Sequence, residues 1–257
     1  MKLNRRFELM YRRLADFFVD NLDLDEGVII LEGGCGKGQL TIPLTKRIRG
    51  IIGDFKIIAF DISAGPYKGA LDVLKESIRK EGFEKIIEIV QGDVRDMNSI
   101  GDQSVDAVIF NELFCDLGRK GLEKALKEFH RILKPNGQMA HGELNPVPEN
   151  AAQKLLIEAD SYSLETLTSE YEWFSPYSDE VAALMHKVGF GNMMVKYFET
   201  DVHLSFDDAI RQLREWNISP AFVKSHIEDL RRYGLEFPIE HVVFCQKRGE
   251  ACDRSSV

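Results

Sequence analysis

Along most of this chain, short apolar runs alternate with stretches in which apolar residues return every three to four positions. The opening stretch is of the second kind. Phe7, Met10, Leu14, Phe17 and Phe18 interleave with charged residues, which predicts an amphipathic helix. Residues 28–31 then read as a buried strand, and a glycine-rich loop leads into a helix over 39–47, where Pro43 belongs to the first turn or kinks it. A strand over 56–60 closes at Asp61. A helix over 66–80 opens with Pro66 and stops before Gly82. Strands over 86–90 and 105–110, a helix over 121–133 stopped by Pro135 and Gly137, and a strand over 138–143 continue the alternation. Strands alternating with helices predict parallel βαβ units, an α/β doubly wound sheet with helices on both faces. Beyond this the pattern loosens into helices over 150–168 and 179–188, a strand over 193–199, helices over 207–216 and 220–233, and a last strand over 241–246. No repeat, low-complexity tract or linker divides the chain. One domain over 1–257 is expected, with an N-terminal helix (1–24), a core (25–145), a helical segment (146–192) and a helical insertion (200–240) before the last strand.

The loop Glu32-Gly33-Gly34-Cys35-Gly36-Lys37-Gly38 carries the first chemistry. Glycine lets a backbone turn tightly and lie against a ligand, and the N–H groups of a following helix can hold an anion. A dinucleotide fingerprint, G-x-G-x-x-G/A, fails here because Gln39 stands at its third position. Glu32 would repel a pyrophosphate but could hold the ammonium of an amino acid. S-adenosylmethionine offers that ammonium together with a carboxylate for the helix N-terminus.

With these residues the chain resembles the class I S-adenosylmethionine-dependent methyltransferase family, whose first motif is an acidic residue followed by G-x-G-x-G. The resemblance continues through Asp61, at the strand end where the family binds the ribose hydroxyls, and through Gly92-Asp93-Val94-Arg95-Asp96-Met97, near the adenine amino group. It includes Val105 to Glu112 as fourth strand and the phrase Arg131-Ile132-Leu133-Lys134-Pro135-Asn136-Gly137. It implies a mostly parallel seven-stranded Rossmann-like sheet. It also implies methyl transfer from S-adenosylmethionine, and cofactor contacts from Glu32, Gly34, Cys35, Gly36, Gly38, Asp61, Ile62, Asp93, Val94 and Asn111. Asp61 also suits a helix cap or Asx-turn, Asp93 a turn, and Cys35 reads as a small packed residue more than as a nucleophile.

Methyl transfer needs in-line alignment and exclusion of water, so no catalytic signature is obligatory. A protonated acceptor does need a general base. In an open parallel sheet such groups lie at the carboxyl ends of the strands, which selects Asn111, Glu112, His141 and Glu143. His141 and Glu143, two apart on one strand, point to the same face; they form either a base with its orienter or a hydrogen-bonded polar strand end. Asn111-Glu112-Leu113-Phe114 departs from the family's (D/N/S)-P-P-(Y/F) form, which speaks against base-amine and glutamine-amide acceptors and leaves oxygen, sulfur, carbon and aliphatic-amine acceptors open. Tyr171, Trp173, Phe174 and Tyr177 hint at an apolar or aromatic acceptor pocket. Phe206, Trp216, Phe222, Tyr233 and Phe237 are expected mostly as the core of the insertion, which should pack near the site mouth.

Charge and cysteines narrow the partners. With 42 acidic against 33 basic side chains the net charge is −9, so a nucleic-acid partner would need a local basic patch. The one candidate, Lys2, Arg5, Arg6, Arg12 and Arg13, is expected as the solvated face of the first helix, and a small-molecule acceptor is favoured. Cys35, Cys115, Cys245 and Cys252 show neither metal-ligand spacing nor a disulfide framework, so no metal is expected. No signal-like apolar stretch opens the chain and none approaches the ~20 residues of a membrane span, so a soluble cytoplasmic protein is expected. The pattern leaves the oligomeric state open. Three rivals remain: a dinucleotide-dependent oxidoreductase, opposed by Gln39 and Glu32; an aminopropyltransferase, for which only Glu112 and Asp116 follow Phe110; and a non-catalytic S-adenosylmethionine-binding protein.

Overall fold

The apolar runs assemble into one seven-stranded sheet in the computed structural model, which describes residues 3–163 and 176–249. After α1 (Leu3–Val19) come β1 (Val28–Gly33), α2 (Thr41–Arg49), β2 (Phe55–Asp61), α3 (Ala70–Glu81), β3 (Ile87–Gln91), β4 (Val105–Asn111), α4 (Gly118–Ile132) and β5 (Leu133–Leu144). The second half holds α5 (Ala151–Asp160), α6 (Ser178–Val188), β6 (Phe190–Phe198), β7 (His203–Leu204), α7 (Phe206–Glu215), α8 (Pro220–Ser225), α9 (Ile227–Tyr233), β8 (Leu235–Glu236) and β9 (Glu240–Lys247). Strand order is β3-β2-β1-β4-β5-β9-β6. The first five strands run parallel, and β9 lies antiparallel between β5 and β6. The order reverses between β1 and β4, so a ligand crevice belongs at their carboxyl ends.

Both faces of the central strands are covered, which is why they read as nearly continuous apolar runs. Ile30, Ala59, Ile109, Ala140 and Val242 pack with Leu14 and Phe18 of α1, Leu44 of α2 and Leu74 of α3. Leu31, Phe60, Val108, Phe110 and Val243 pack with Leu126 and Phe129 of α4 and Met185 of α6.

Several boundaries differ from the pattern, each for a local reason. The helix expected from Pro66 begins at Ala70, because Gly65–Tyr67 forms a 3-10 turn and Gly69 takes a left-handed conformation (φ 80°). The turn expected at Pro135 and Gly137 becomes the irregular start of β5, with Asn136 left-handed at φ 64°. The single helix expected over 220–233 is two, broken at His226. The helix expected over 150–168 ends at Asp160; Tyr171, Trp173 and Phe174 lie outside the described residues.

In the insertion, Phe222 and Phe237 are buried, and Phe237 meets both Trp216 (ring centroids 5.8 Å apart) and Phe7 of α1 (5.3 Å). These aromatics form the insertion's own core, joined to α1. The basic face of α1 is correspondingly less free than expected. Arg13 donates to Asp201 and to the Glu199 carbonyl (2.8 Å), and Arg6 to the His203 carbonyl. The short pair β7 and β8 closes the insertion, and Gly234 (φ 67°, ψ −149°) allows it, since a Cβ there would overlap the Leu204 carbonyl. Gly234→Ala is therefore expected to cost about 1–3 kcal/mol, read as a lowered midpoint in urea denaturation. Among the described residues no helix is long and apolar enough to cross a membrane.

Candidate active site

The chain leaves β1 through Gly34 (φ 68°), Gly36 (φ 51°) and Gly38 (φ 86°), conformations that a Cβ disfavours. At Gly38 a Cβ would also lie 2.5 Å from Leu74 Cδ1, so glycine there lets α3 pack beneath the loop. Gly34 and Cys35 donate their N–H groups to the Phe60 carbonyl (2.8 and 3.2 Å). Asp61 joins the loops after β1 and β2: its carboxylate accepts from Gly36 N–H (2.9 Å) and from Ser63 N–H (2.8 Å). The second bond is the Asx-turn open to it from sequence. Cys35 is buried in the core that packs against α1–α3, and burial pushes its thiol up, as suits a packing residue.

Glu32 is 2% exposed; its carboxylate lies close enough to the Thr41 hydroxyl, in the first turn of α2, for that hydroxyl to pull its pKa down, yet neither Glu32 Oε2 nor Thr41 Oγ1 completes a hydrogen bond of ordinary geometry. Burial pushes the Glu32 carboxyl up to about 8. Buried polar atoms are normally satisfied, so an open carboxylate oxygen at a glycine loop fits a donor such as the ammonium of S-adenosylmethionine. Farther along the carboxyl edge, Asp93 is held by Arg95: Nε to Oδ1 at 2.9 Å, Nη2 to Oδ2 at 2.6 Å, and backbone N–H to Oδ1 at 2.8 Å. This pairing keeps its carboxyl below the usual range. Val94 is buried beside it, whereas Ile62 is an exposed apolar side chain next to Asp61.

At the ends of β4 and β5, Asn111 Nδ2 donates to Glu240 Oε1 over a long 3.4 Å. Glu112 is left-handed (φ 48°), a strained conformation of the sort that gathers at functional sites, and its N–H donates to the Gly142 carbonyl (2.9 Å). Burial, with the Asp116 charge beside it, raises its carboxyl to about 7. His141 and Glu143 share a face as expected, but they do not form a base with its orienter. The loop after β4 folds back so that Glu143 Oε1 accepts from Leu113 N–H (3.1 Å) and Phe114 N–H (2.7 Å). The His141 ring lies against Phe110 (5.2 Å, 9°) and Phe114 (4.7 Å), and neither ring nitrogen has a partner. Burial lowers its pKa to about 3 and raises that of Glu143 to about 8.

Three residues at this end were not visible as site residues in the sequence. Glu240 opens β9, which runs antiparallel and so starts at the carboxyl edge, opposite Leu144; recognising that direction is the signal that finds it. Asp160, at the end of α5, is raised to about 7 by burial and by the charges of Glu112 and Asp116. Tyr11 of α1 is half-buried, and desolvation together with the charges of Glu112, Glu240 and Glu32 pushes its hydroxyl up. Across the mouth, the Tyr67 hydroxyl after β2 donates to Asp116 Oδ2 after β4 (2.5 Å). Among the described residues no three His, Cys, Asp or Glu side chains are grouped to hold a metal ion.

This topology, with the glycine loop at its switch point, is the Rossmann-like architecture of class I methyltransferases. Residues 30–137, less than half of the chain, match the family described as a methyltransferase domain. An uncharacterised methyltransferase-like protein of Schizosaccharomyces pombe is 31% identical over 126 residues, 49% of this chain and 42% of that protein. A 23S rRNA (uracil(1939)-C(5))-methyltransferase of Haemophilus parainfluenzae is 27% identical over 117 residues, 45% of this chain and 23% of the relative. The chain thus spans less than half the length of either curated relative. Among solved structures, the YcgJ protein of Bacillus subtilis superposes with a TM-score of 0.68 at 14% identity, covering 92% of this chain and 98% of its own. A SAM-dependent methyltransferase of Methanosarcina mazei does so with 0.57 at 17% identity, covering 91% and 98%. Both show the shared fold.

Proposed function

We propose that the protein transfers the methyl group of S-adenosylmethionine to a small-molecule acceptor by in-line displacement, working as one methyltransferase domain in the cytoplasm. The observation that carries this reading is the buried, open Glu32 oxygen beside the glycine loop that Asp61 holds in place. Glu32 would take the ammonium of the cofactor and the N–H groups around Gly34, Cys35, Gly36 and Gly38 its carboxylate. Asp61 would take the ribose hydroxyls, Ile62, Asp93 and Val94 would line the adenine, and Asn111 would stand on the methyl side. The bound cofactor supplies an electrophilic methyl group on a sulfonium. Glu112, at the strained end of β4, is the proton acceptor in this reading. Glu143 positions the loop that carries Glu112, and His141 supports that loop from the aromatic layer beneath.

One curated relative acts on ribosomal RNA. In this chain the net charge of −9, and the engagement of Arg6 and Arg13 with the insertion, favour a small molecule over a polyanion. Calorimetric titration with S-adenosylhomocysteine, NAD and decarboxylated S-adenosylmethionine tests the cofactor assignment. Micromolar binding of S-adenosylhomocysteine alone is expected. Preference for NAD would restore the oxidoreductase reading, and preference for the decarboxylated cofactor the aminopropyl one. Binding without label transfer to any acceptor, in a screen with labelled methyl donor, would leave a non-catalytic binding protein.

A further inference from the structure

We infer that Glu240, with Asn111 and Glu112 beside it, forms a buried cation subsite for the protonated amino group of the methyl acceptor, which makes that acceptor an aliphatic amine. The acceptor role rests on the methyl-transfer reading above; the cation subsite itself does not. Glu240 is 0% exposed, and its Oε2 has no hydrogen-bond partner. Asn111 Oδ1 has none either. The two oxygens converge over Gly142, on the strand between them: a Cβ built there would meet both, with Glu240 Oε2 at 2.7 Å. Asn111 pairs in register with Gly142, and Glu240 with Leu144, so the arrangement is held by the sheet and not by a loop.

Two buried acceptors facing one point call for a single group that donates more than once. An ammonium carries three donors, a hydroxyl one and a carboxylate none. The surroundings agree in sign. Glu112, Glu143 and Asp160 lie at the same end, and among the described residues none of these three, nor Glu240, forms an ion pair with lysine, arginine or histidine. Desolvation and the charges of Glu112, Glu240 and Glu32 hold the proton on the Tyr11 hydroxyl, which stays a neutral donor. Carboxyls without a counter-charge in such surroundings hold their protons, and a cationic ligand lets them ionise. The same carboxylates also serve the chemistry. An ammonium has no lone pair until one N–H bond breaks; the bonding pair then stays on nitrogen and the proton forms an O–H bond with the Glu112 or Glu240 carboxylate.

The test compares three probes of one shape, benzylamine, benzyl alcohol and benzoate, titrated calorimetrically into the full chain at mildly alkaline pH, with and without S-adenosylhomocysteine. Benzylamine is expected to bind at least about tenfold tighter than the alcohol, with benzoate weakest. Glu240→Gln, which keeps the shape and the contact to Asn111, should abolish the preference for the amine. Equal or tighter binding of the alcohol or of benzoate, absence of benzylamine binding, or a preference unchanged in Glu240→Gln would overturn the inference. The amine preference persisting in a protein that fails to bind S-adenosylhomocysteine would sink the methyl-transfer reading and leave the cation subsite standing.

Discussion

Asp61→Ala is expected to weaken S-adenosylhomocysteine binding by about two orders of magnitude or more while leaving the fold in place. The carboxylate accepts from Gly36 N–H at 2.9 Å and from Ser63 N–H at 2.8 Å, so it sets the positions of the loops after β1 and β2. Hydrogen bonds to a charged group are worth about 1.5–3 kcal/mol each; without these two the loops are no longer held, and a ligand that must order them again on binding loses about 3 kcal/mol, roughly a hundredfold in affinity. The loss of the ribose contact proposed for the same side chain adds to this. Asp61→Asn keeps one acceptor oxygen and should fall between the variant and the natural protein. Calorimetry measures the affinities, and far-ultraviolet circular dichroism checks that the sheet and helices persist. Unchanged affinity in Asp61→Ala would remove the cofactor from this loop.

The second large effect concerns pH. The melting temperature of the ligand-free protein should fall as pH rises from about 5 to about 9, against the common pattern of broad stability near neutrality. Burial raises Glu32 and Glu143 to about 8, and Glu112 and Asp160 to about 7, above ordinary carboxyl values of 4.5 for glutamate and 3.8 for aspartate. Between the ordinary value and the raised one, the folded protein holds protons that the unfolded chain has released, so raising the pH draws the equilibrium towards unfolding. His141 acts in the opposite sense. Lowered from 6.5 to about 3, it adds stability as pH rises through that interval and nothing above it. His130 and His241, also lowered by burial, act as His141 does, and Glu240, also raised by burial, joins the other carboxyls; three histidines thus oppose five carboxyls below pH 6.5, and the carboxyls act alone beyond it.

Each proton contributes at most about 1.4 kcal/mol per pH unit, and each kcal/mol shifts the melting temperature by about 2–4 °C in a chain of this size. Glu143→Gln tests the origin of the slope, since an amide oxygen can still accept from Leu113 and Phe114 N–H while the titration is gone. That variant should melt with a shallower dependence between the ordinary glutamate value of 4.5 and about pH 8. A flat profile in the natural protein would mean that these carboxyls are hydrated in solution.

The parallel core was legible because its determinants are local. Val28–Gly33, Phe55–Asp61 and Val105–Asn111 are apolar enough to demand cover on both faces, and each is followed by residues that turn the chain. The same holds for the glycine loop: Glu32, the three left-handed glycines and Asp61 lie within a few residues of a strand end. Whether His141 and Glu143 are partners or a polar strand end stayed open in the sequence, because strand periodicity assigns a face and says nothing about what folds over it. Here the loop after β4 supplies two N–H groups to Glu143, and Phe110 and Phe114 enclose His141.

The sequence by itself determined the alternation of strands and helices, the loop that turns on glycine and the acidic residues at its two strand ends, since hydrophobic period and backbone freedom are properties of neighbours in the chain. Only the tertiary structure decided which buried groups meet. Asn111 and Glu240 stand 129 residues apart, and they come together because β9 enters the sheet antiparallel beside β5, starting at the carboxyl edge. Tyr11 and Asp160 reach the same place from helices α1 and α5. No local pattern encodes that convergence, because its energy comes from covering the faces of a sheet whose order is settled only when all the strands have paired.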